Sequence, residues 1–258
     1  MKDFLQMTAW TMEKPASYGA FHIIFTLALL GITILCVYLL RNTNDKQNRI
    51  VLGTVGGLLI VSEVYKILFH IFVNPYNWSF WGAFPFQLCS VPMYLSLFCA
   101  FCPSKKINSW LYEFMFAVNM FGGIMAFLEP SGIQHGYITL TVHAYVWHML
   151  LIFIGLYLYA SKRACNDTKS YYKALIVYLC SCGLAQAFNI IFASKRINCF
   201  YISPYVQSPL AVFKNIYASC GWVVNMALLI LALSIASAVV YYVGLAARRS
   251  SRIRKAQE

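Results

Sequence analysis

The chain has 258 residues, of which 60% are hydrophobic and only 11% are charged. Soluble domains carry about 25% charged residues, so this composition excludes a soluble globular protein and indicates a polytopic membrane protein. The formal net charge is +12. Because the positive residues lie in short loops between apolar runs, they indicate orientation in a membrane rather than binding of nucleic acid.

Seven apolar runs are long enough to cross a bilayer, whose hydrocarbon core of ~30 Å requires about 20 helical residues. They cover roughly residues 19–40, 50–73, 81–102, 109–129, 137–160, 172–193 and 219–246. No polar linker divides the chain. The sequence therefore predicts one all-α domain over residues 1–258, a bundle of seven transmembrane helices.

The distribution of Lys and Arg predicts how this bundle is oriented. The loops after the first, third and fifth runs, together with the C-terminal tail, hold 14 of the 20 basic residues, and the opposite loops hold five. The positive-inside rule then places the N-terminus outside and the C-terminus in the cytoplasm. We expect a multi-pass protein of the cell membrane.

The second run carries three ionisable residues, Glu63, Lys66 and His70. On a helix, positions 63 and 70 lie about 20° apart and position 66 about 60° away, so all three share one face. Ionisable groups at the bilayer centre cost at least ~2.5–3.5 kcal/mol each and usually mark function. Glu63 and Lys66 could neutralise each other structurally, or the group could orient a catalytic histidine or hold a lipid headgroup.

The third run begins with a stretch that a lipid-facing helix does not need, since residues 84–92 contain two prolines, an amide and a thiol. Within it, Cys89 is our candidate nucleophile, and counting along a helix from Trp81 places it ~12 Å deep. The candidate bases are His143 and His148 on the fifth run, five residues and about 140° apart. The spacing does not choose between them. A lone membrane cysteine is more often a packing residue.

Acyl transfer also requires donors for an oxyanion. Candidates are Gln87, Ser90, Asn119 and Thr141, and Ser90 is an alternative nucleophile. His22 and His135 lie near the outer boundary, and most polar residues of the spans fall in their outer parts. This asymmetry predicts a pocket that opens to the outer leaflet. Residues 194–218 form the longest connection, which we interpret either as an aromatic segment on the headgroups or as a lid over that pocket.

The nine cysteines do not form a disulfide framework. Cys199 and Cys220 flank one loop and could form a disulfide if that side is oxidising. Cys99 and Cys102 form a CxxC, but no second pair of ligands accompanies it. We therefore predict neither a metal nor another cofactor.

Several stretches resemble the YwaF-like integral membrane proteins of bacteria. The matching residues are His22, Glu63-Val64-Tyr65-Lys66, Pro85-Phe86-Gln87-Leu88-Cys89-Ser90 with Pro92, Phe121-Gly122-Gly123, His143-Ala144-Tyr145-Val146-Trp147-His148-Met149 and Asn189-Ile190. More distantly, the chain resembles animal multi-pass acyltransferases that act on phospholipids. In those proteins a His follows the Cys, whereas Ser90 stands here. The resemblance implies that Cys89 is the nucleophile and that His148, rather than His143, is the base.

Our leading hypothesis is a lipid acyltransferase or acyl hydrolase, with membrane lipids as acyl donor and acceptor and no nucleic-acid partner. Cys89 attacks, His148 is the general base, and Glu63 or His143 supports it. The expected substrate-binding residues are Lys66, His70, Gln87, Ser90, Asn119 and His22. The alternatives are a non-catalytic transporter or lipid-binding protein that uses Glu63, Lys66, His70 and His143, and a structural membrane protein with a polar core.

Overall fold

A computed structural model describes residues 2–73, 80–81 and 84–257, and this part of the chain is predominantly helical. The helices are α1 (Lys2–Met7), α2 (Ala20–Leu40), α3 (Asp45–Val73), α4 (Val91–Phe101), α5 (Lys105–Phe114), α6 (Met120–Leu128), α7 (Ile138–Ala160), α8 (Tyr171–Ile191) and α9 (Ala211–Gln257). A π-helical turn, Met115–Asn119, joins α5 to α6 without a break. The all-helical prediction is confirmed.

Within the described residues, six helical segments are long and apolar enough to cross a membrane. They are Ala20–Leu40, Asp45–Val73, Lys105–Leu128, Ile138–Ala160, Tyr171–Ile191 and Val212–Ser251. Six of the seven predicted runs thus correspond to a spanning helix, although the last helix extends well beyond residues 219–246. The structure supports a multi-pass membrane protein but does not confirm seven full spans.

The third predicted span is wrong in its first half. Residues 82–83 lie outside the described residues, Gln87 is extended, Leu88–Ser90 form a 3-10 turn, and only α4 is α-helical. Its 11 residues reach about 17 Å, too short for a ~30 Å core. The physical reason is proline: Pro92 lies in the first turn of α4, where a missing N–H is harmless, and a helix rarely continues backward through such residues. The helical depth count for Cys89 therefore does not hold.

The chain nevertheless returns across the bundle between α3 and α5. The Lys105 Nζ lies 2.7 Å from the Asp45 Oδ2, so α3 and α5 begin at the same end of the molecule. Arg163, which follows α7, lies 3.3 Å from the other oxygen of Asp45. We call this end, defined by Asp45, Lys105 and Arg163, the basic end. Its assignment to the cytoplasm remains a prediction from the positive-inside rule.

Glycine allows α6 and α7 to approach each other closely. A Cβ on Gly123 would lie 2.9 Å from the carbonyl oxygen of His148, whereas a Cβ on Gly122 would meet nothing within 4 Å. Small residues permit such close helix contacts in membranes. Gly123 therefore places α6 directly against the backbone of His148, the candidate base.

Candidate functional site

The turn that carries Cys89 is held by two other elements. Asn119, from the π-helical turn, donates its Nδ2 to the carbonyl oxygen of Leu88 at 2.9 Å. Trp147 of α7 donates its indole Nε1 to the carbonyl oxygen of Cys89 at 3.1 Å. Irregular backbone in a membrane needs such partners because no water is available to it.

Gln87 ties this turn to the long outer loop. Its Nε2 donates to the carbonyl oxygen of Asn198 at 2.9 Å, and its Oε1 accepts from the N–H of Phe200 at 3.0 Å. The Phe86 and Phe200 rings lie 5.8 Å apart. Both polar atoms of Gln87 are therefore engaged by the loop, which corrects its assignment as a free oxyanion donor. The loop packs directly on the Cys89 turn.

Glu63 and Lys66 form an ion pair, with 2.6 Å between the Lys66 Nζ and the Glu63 Oε1. Glu63 is only 3% exposed, and its Oε2 has no hydrogen-bond partner among the described residues. The shared face predicted from helical spacing is thus present.

The two α7 histidines are held differently. The Nδ1 of His148 lies 2.8 Å from the carbonyl oxygen of Ala144. Because a carbonyl oxygen can only accept, Nδ1 carries the proton, and the neutral ring keeps its lone pair on Nε2. The His143 ring packs on the Trp147 indole, with 5.6 Å between the ring centroids. Its Nε2 is buried and finds no hydrogen-bond partner in the described part of the chain.

Three other predicted site residues, His22, Thr141 and Asn119, make contacts of their own. His22 is buried and its Nδ1 lies 2.8 Å from the Tyr145 hydroxyl, so it belongs to the contact between α2 and α7. Thr141 exchanges hydrogen bonds with the backbone of His135 and is not a free donor. Asn119 is 1% exposed, and its Oδ1 has no partner among the described residues.

An apolar groove of about 380 Å³ lies between α2, α3 and α7. Val55 of α3 and Leu150 of α7 are among its lining residues. Each lies about 20° around its helix from a candidate residue, Val55 from Lys66 and Leu150 from His143. The groove therefore continues the α3 face of Lys66 and the α7 face of His143, about 10–17 Å along the helix axes, whereas His148 lies about 140° around α7 from His143.

Sequence reasoning missed Trp147, which sits between the two histidines and binds the Cys89 backbone. The sequence could have indicated that a buried indole N–H requires an acceptor, although not which one. The polar residues are also less asymmetric than predicted, because Asn48, Asn108 and Glu113 are buried in the half nearer the basic end.

Two expectations about the cysteines can be compared with the structure. Cys199 is buried, Cys220 is exposed, and both are free thiols, so the suggested disulfide is not formed. No cluster of three or more His, Cys, Asp or Glu side chains suited to a metal occurs in residues 2–73, 80–81 and 84–257.

Comparison with known proteins identifies the family of the chain. A model of the TMEM164 family matches residues 17–243, a segment that contains the Cys89 turn, the Glu63–Lys66 pair and both α7 histidines. No curated protein and no solved structure matches significantly. The match does not extend to the YwaF-like proteins or to an acyltransferase activity. The chain is therefore an integral membrane protein of the TMEM164 family.

Proposed function

We propose that this protein transfers fatty-acyl groups of membrane lipids through a thioester on Cys89, with His148 as the general base. The observation that carries the proposal is the hydrogen bond from Trp147 to the Cys89 carbonyl. This bond fixes the thiol-bearing turn to α7 at Trp147, the residue before His148 in the sequence and about 100° around the helix from it. A nucleophile and a base on separate elements require such a link to keep their geometry.

The proposed reaction has two steps. In the first, the Nε2 of His148 takes the thiol proton, and the sulfur attacks the carbonyl carbon of an acyl ester. The ester C–O bond breaks, the lysolipid alkoxide takes the proton from His148, and the acyl group remains on Cys89 as a thioester. In the second, His148 takes a proton from a lipid alcohol or from water, whose oxygen attacks the thioester. The sulfur leaves and recovers its proton, which regenerates the starting enzyme.

Lys66 is our candidate to stabilise the oxyanion of each tetrahedral intermediate. Gln87 and Thr141 already bond the backbone, and the Nδ2 of Asn119 bonds Leu88. Lys66 is a cation on the polar face of α3, and Glu63 holds its ammonium in place. A fixed cation beside a developing negative charge is worth far more in a water-poor site than in solution.

We assign the acyl chain to the apolar groove between α2, α3 and α7, which continues the α3 face of Lys66 rather than the α7 face of His148. It is lined almost entirely by aliphatic and aromatic side chains, as a fatty-acyl tail requires. The Cys89 turn precedes α4, which runs about 17 Å toward the basic end. This supports a site in the opposite half of the membrane, which the positive-inside rule assigns to the outer leaflet.

A non-catalytic role in lipid binding or transport is the second candidate. The Glu63–Lys66 pair favours it, because a buried carboxylate with one unpartnered oxygen is suited to hold a headgroup or relay a proton. In that case the thiol of Cys89 would be dispensable.

Purified protein in liposomes that contain a phospholipid with a labelled acyl chain distinguishes the two. Cys89→Ala should abolish transfer of the label, and His148→Gln should lower it at least ~10²-fold, the usual contribution of a general base. Cys180→Ala, at an exposed free thiol of α8, is the matched control and should leave the rate unchanged. Full transfer by Cys89→Ala would exclude the thioester mechanism and favour the binding role.

A further inference from the structure

A polar pocket of about 200 Å³ lies at the basic end, far from the Cys89 turn. Its volume is well above the roughly 15 Å³ that one water needs. Three cationic residues, Arg49, Lys105 and Arg163, line it together with a single carboxylate, Asp45. The remaining lining residues are Asn48, Pro103, Asn108, Ser109 and Tyr112. The pocket therefore carries an excess of two positive charges.

Asp45 does not neutralise the three cationic side chains. The Lys105–Asp45 pair is exposed, with 87% and 67% of the two side chains accessible, and such surface pairs contribute little. The guanidinium of Arg49 makes no hydrogen bond within the described residues and interacts with Asp45 through charge alone. Lys105 and Arg49 can thus turn to a ligand at small cost.

Two helix N-termini add to the positive field. The helices α3 and α5 both begin at this pocket, at Asp45 and Lys105. The N-terminus of a helix carries about half a positive charge, which favours anions, although the N–H groups of Gln47 and Ile107 are already capped by Asn44 and Ser104.

A second, independent observation concerns Asn108. This residue is 6% exposed, its Nδ2 donates to the Cys102 carbonyl, and its Oδ1 has no hydrogen-bond partner among the described residues. An orphaned acceptor in the wall of a pocket requires a donor from a ligand or water. The pocket thus offers cations for an anion, and the buried Asn108 amide in its wall retains one unsatisfied acceptor.

From these features we propose that the pocket binds a phosphoryl anion that bears an adjacent hydrogen-bond donor, as in the headgroup of a membrane phospholipid. Exposed apolar side chains flank it in sequence, Phe101 before Pro103 and Ile107 beside Asn108, where acyl tails would lie. This site is separate from the proposed catalytic group and does not depend on it.

The test uses the full chain purified in detergent and counts bound lipid by native mass spectrometry. The probes are phosphatidylglycerol and diacylglycerol with the same acyl chains, and inorganic phosphate is added as a competitor. We expect phosphatidylglycerol to bind and diacylglycerol not to. Arg49→Gln should weaken the binding about fivefold, the share of one basic residue near a headgroup.

Lys106→Gln is the matched control, because Lys106 is an exposed neighbour that does not line the pocket. It should bind phosphatidylglycerol as the wild type does. Both variants should melt like the wild type without lipid, since neither side chain is buried. Displacement of the lipid by millimolar inorganic phosphate would support the phosphoryl site and identify free phosphate as a second ligand. Equal weakening by both variants, or equal binding of diacylglycerol, would overturn the proposal.

Discussion

Trp147 donates its indole N–H to the carbonyl oxygen of Cys89 at 3.1 Å, so α7 and the turn before α4 share a direct polar contact inside the bundle. The residue that follows Trp147 is His148, and the residue four before it is His143, whose ring lies 5.6 Å from the indole. One tryptophan thus fixes the candidate nucleophile relative to both candidate bases.

The first prediction removes this hydrogen bond together with part of a buried ring. Trp147→Phe keeps an aromatic ring but leaves the Cys89 carbonyl without its donor, which should lower the free energy of unfolding by about 1–3 kcal/mol. The melting temperature in detergent measures it. Trp110→Phe is the control, since Trp110 contacts Tyr172 through its ring. If both variants have the melting temperature of the wild type, the Trp147 hydrogen bond does not contribute to stability.

A second prediction compares two adjacent glycines of α6. In Gly123→Ala the new Cβ would lie 2.9 Å from the His148 carbonyl oxygen, so the helices must separate at a cost of about 1–3 kcal/mol. Gly122→Ala meets nothing within 4 Å and should gain roughly 0.5–1 kcal/mol from helix propensity. Opposite shifts in melting temperature are expected, and a loss of stability in both variants would contradict the packing described.

Much of the fold could be read from apolar run lengths. The runs at 19–40, 137–160 and 172–193 match α2, α7 and α8 within a few residues, because hydrocarbon thickness sets helix length. The third run failed for a physical reason: hydropathy reports that a segment is buried in lipid or protein, not that it is helical. Its prolines and amide marked the irregular backbone, which other side chains then had to satisfy.

Less of the candidate site was predictable. Helical spacing was sufficient for the Glu63–Lys66 pair, because both residues lie on one helix. The links from Trp147 to Cys89 and from Gln87 to Phe200 join segments far apart in sequence. Such contacts depend on how helices pack, which no local pattern encodes.

The third prediction concerns that ion pair. Lys66→Met leaves the buried carboxylate of Glu63 without its cation and should cost about 1–3 kcal/mol, less than a fully buried pair because Lys66 is 26% exposed. The double variant Glu63→Gln with Lys66→Met should recover most of this stability, since it leaves no unpaired charge. Thermal unfolding checks both, and an unstable double variant would show that the pair contributes more than mutual neutralisation.

The fourth prediction is a pH dependence at His135, which lies in the loop before α7. Burial, with the charges of Lys14 and Lys66, lowers the pKa of His135 below its usual 6.5. The unfolded chain therefore binds a proton more readily, so the stability that neutral His135 contributes is present above pH 6.5 and is lost as the pH falls from 6.5 toward the lowered pKa. His135→Gln should reduce the fall in melting temperature over that range. An unchanged pH profile would contradict this environment.

The central claim is a covalent acyl group on Cys89, and mass spectrometry of the protein after incubation with phospholipid tests it most directly. We predict a hydroxylamine-sensitive acyl adduct on the peptide that contains Cys89, present also in Cys180→Ala and absent from Cys89→Ala. An acyl adduct on a different residue, or lipid turnover that persists in Cys89→Ala, would contradict the account.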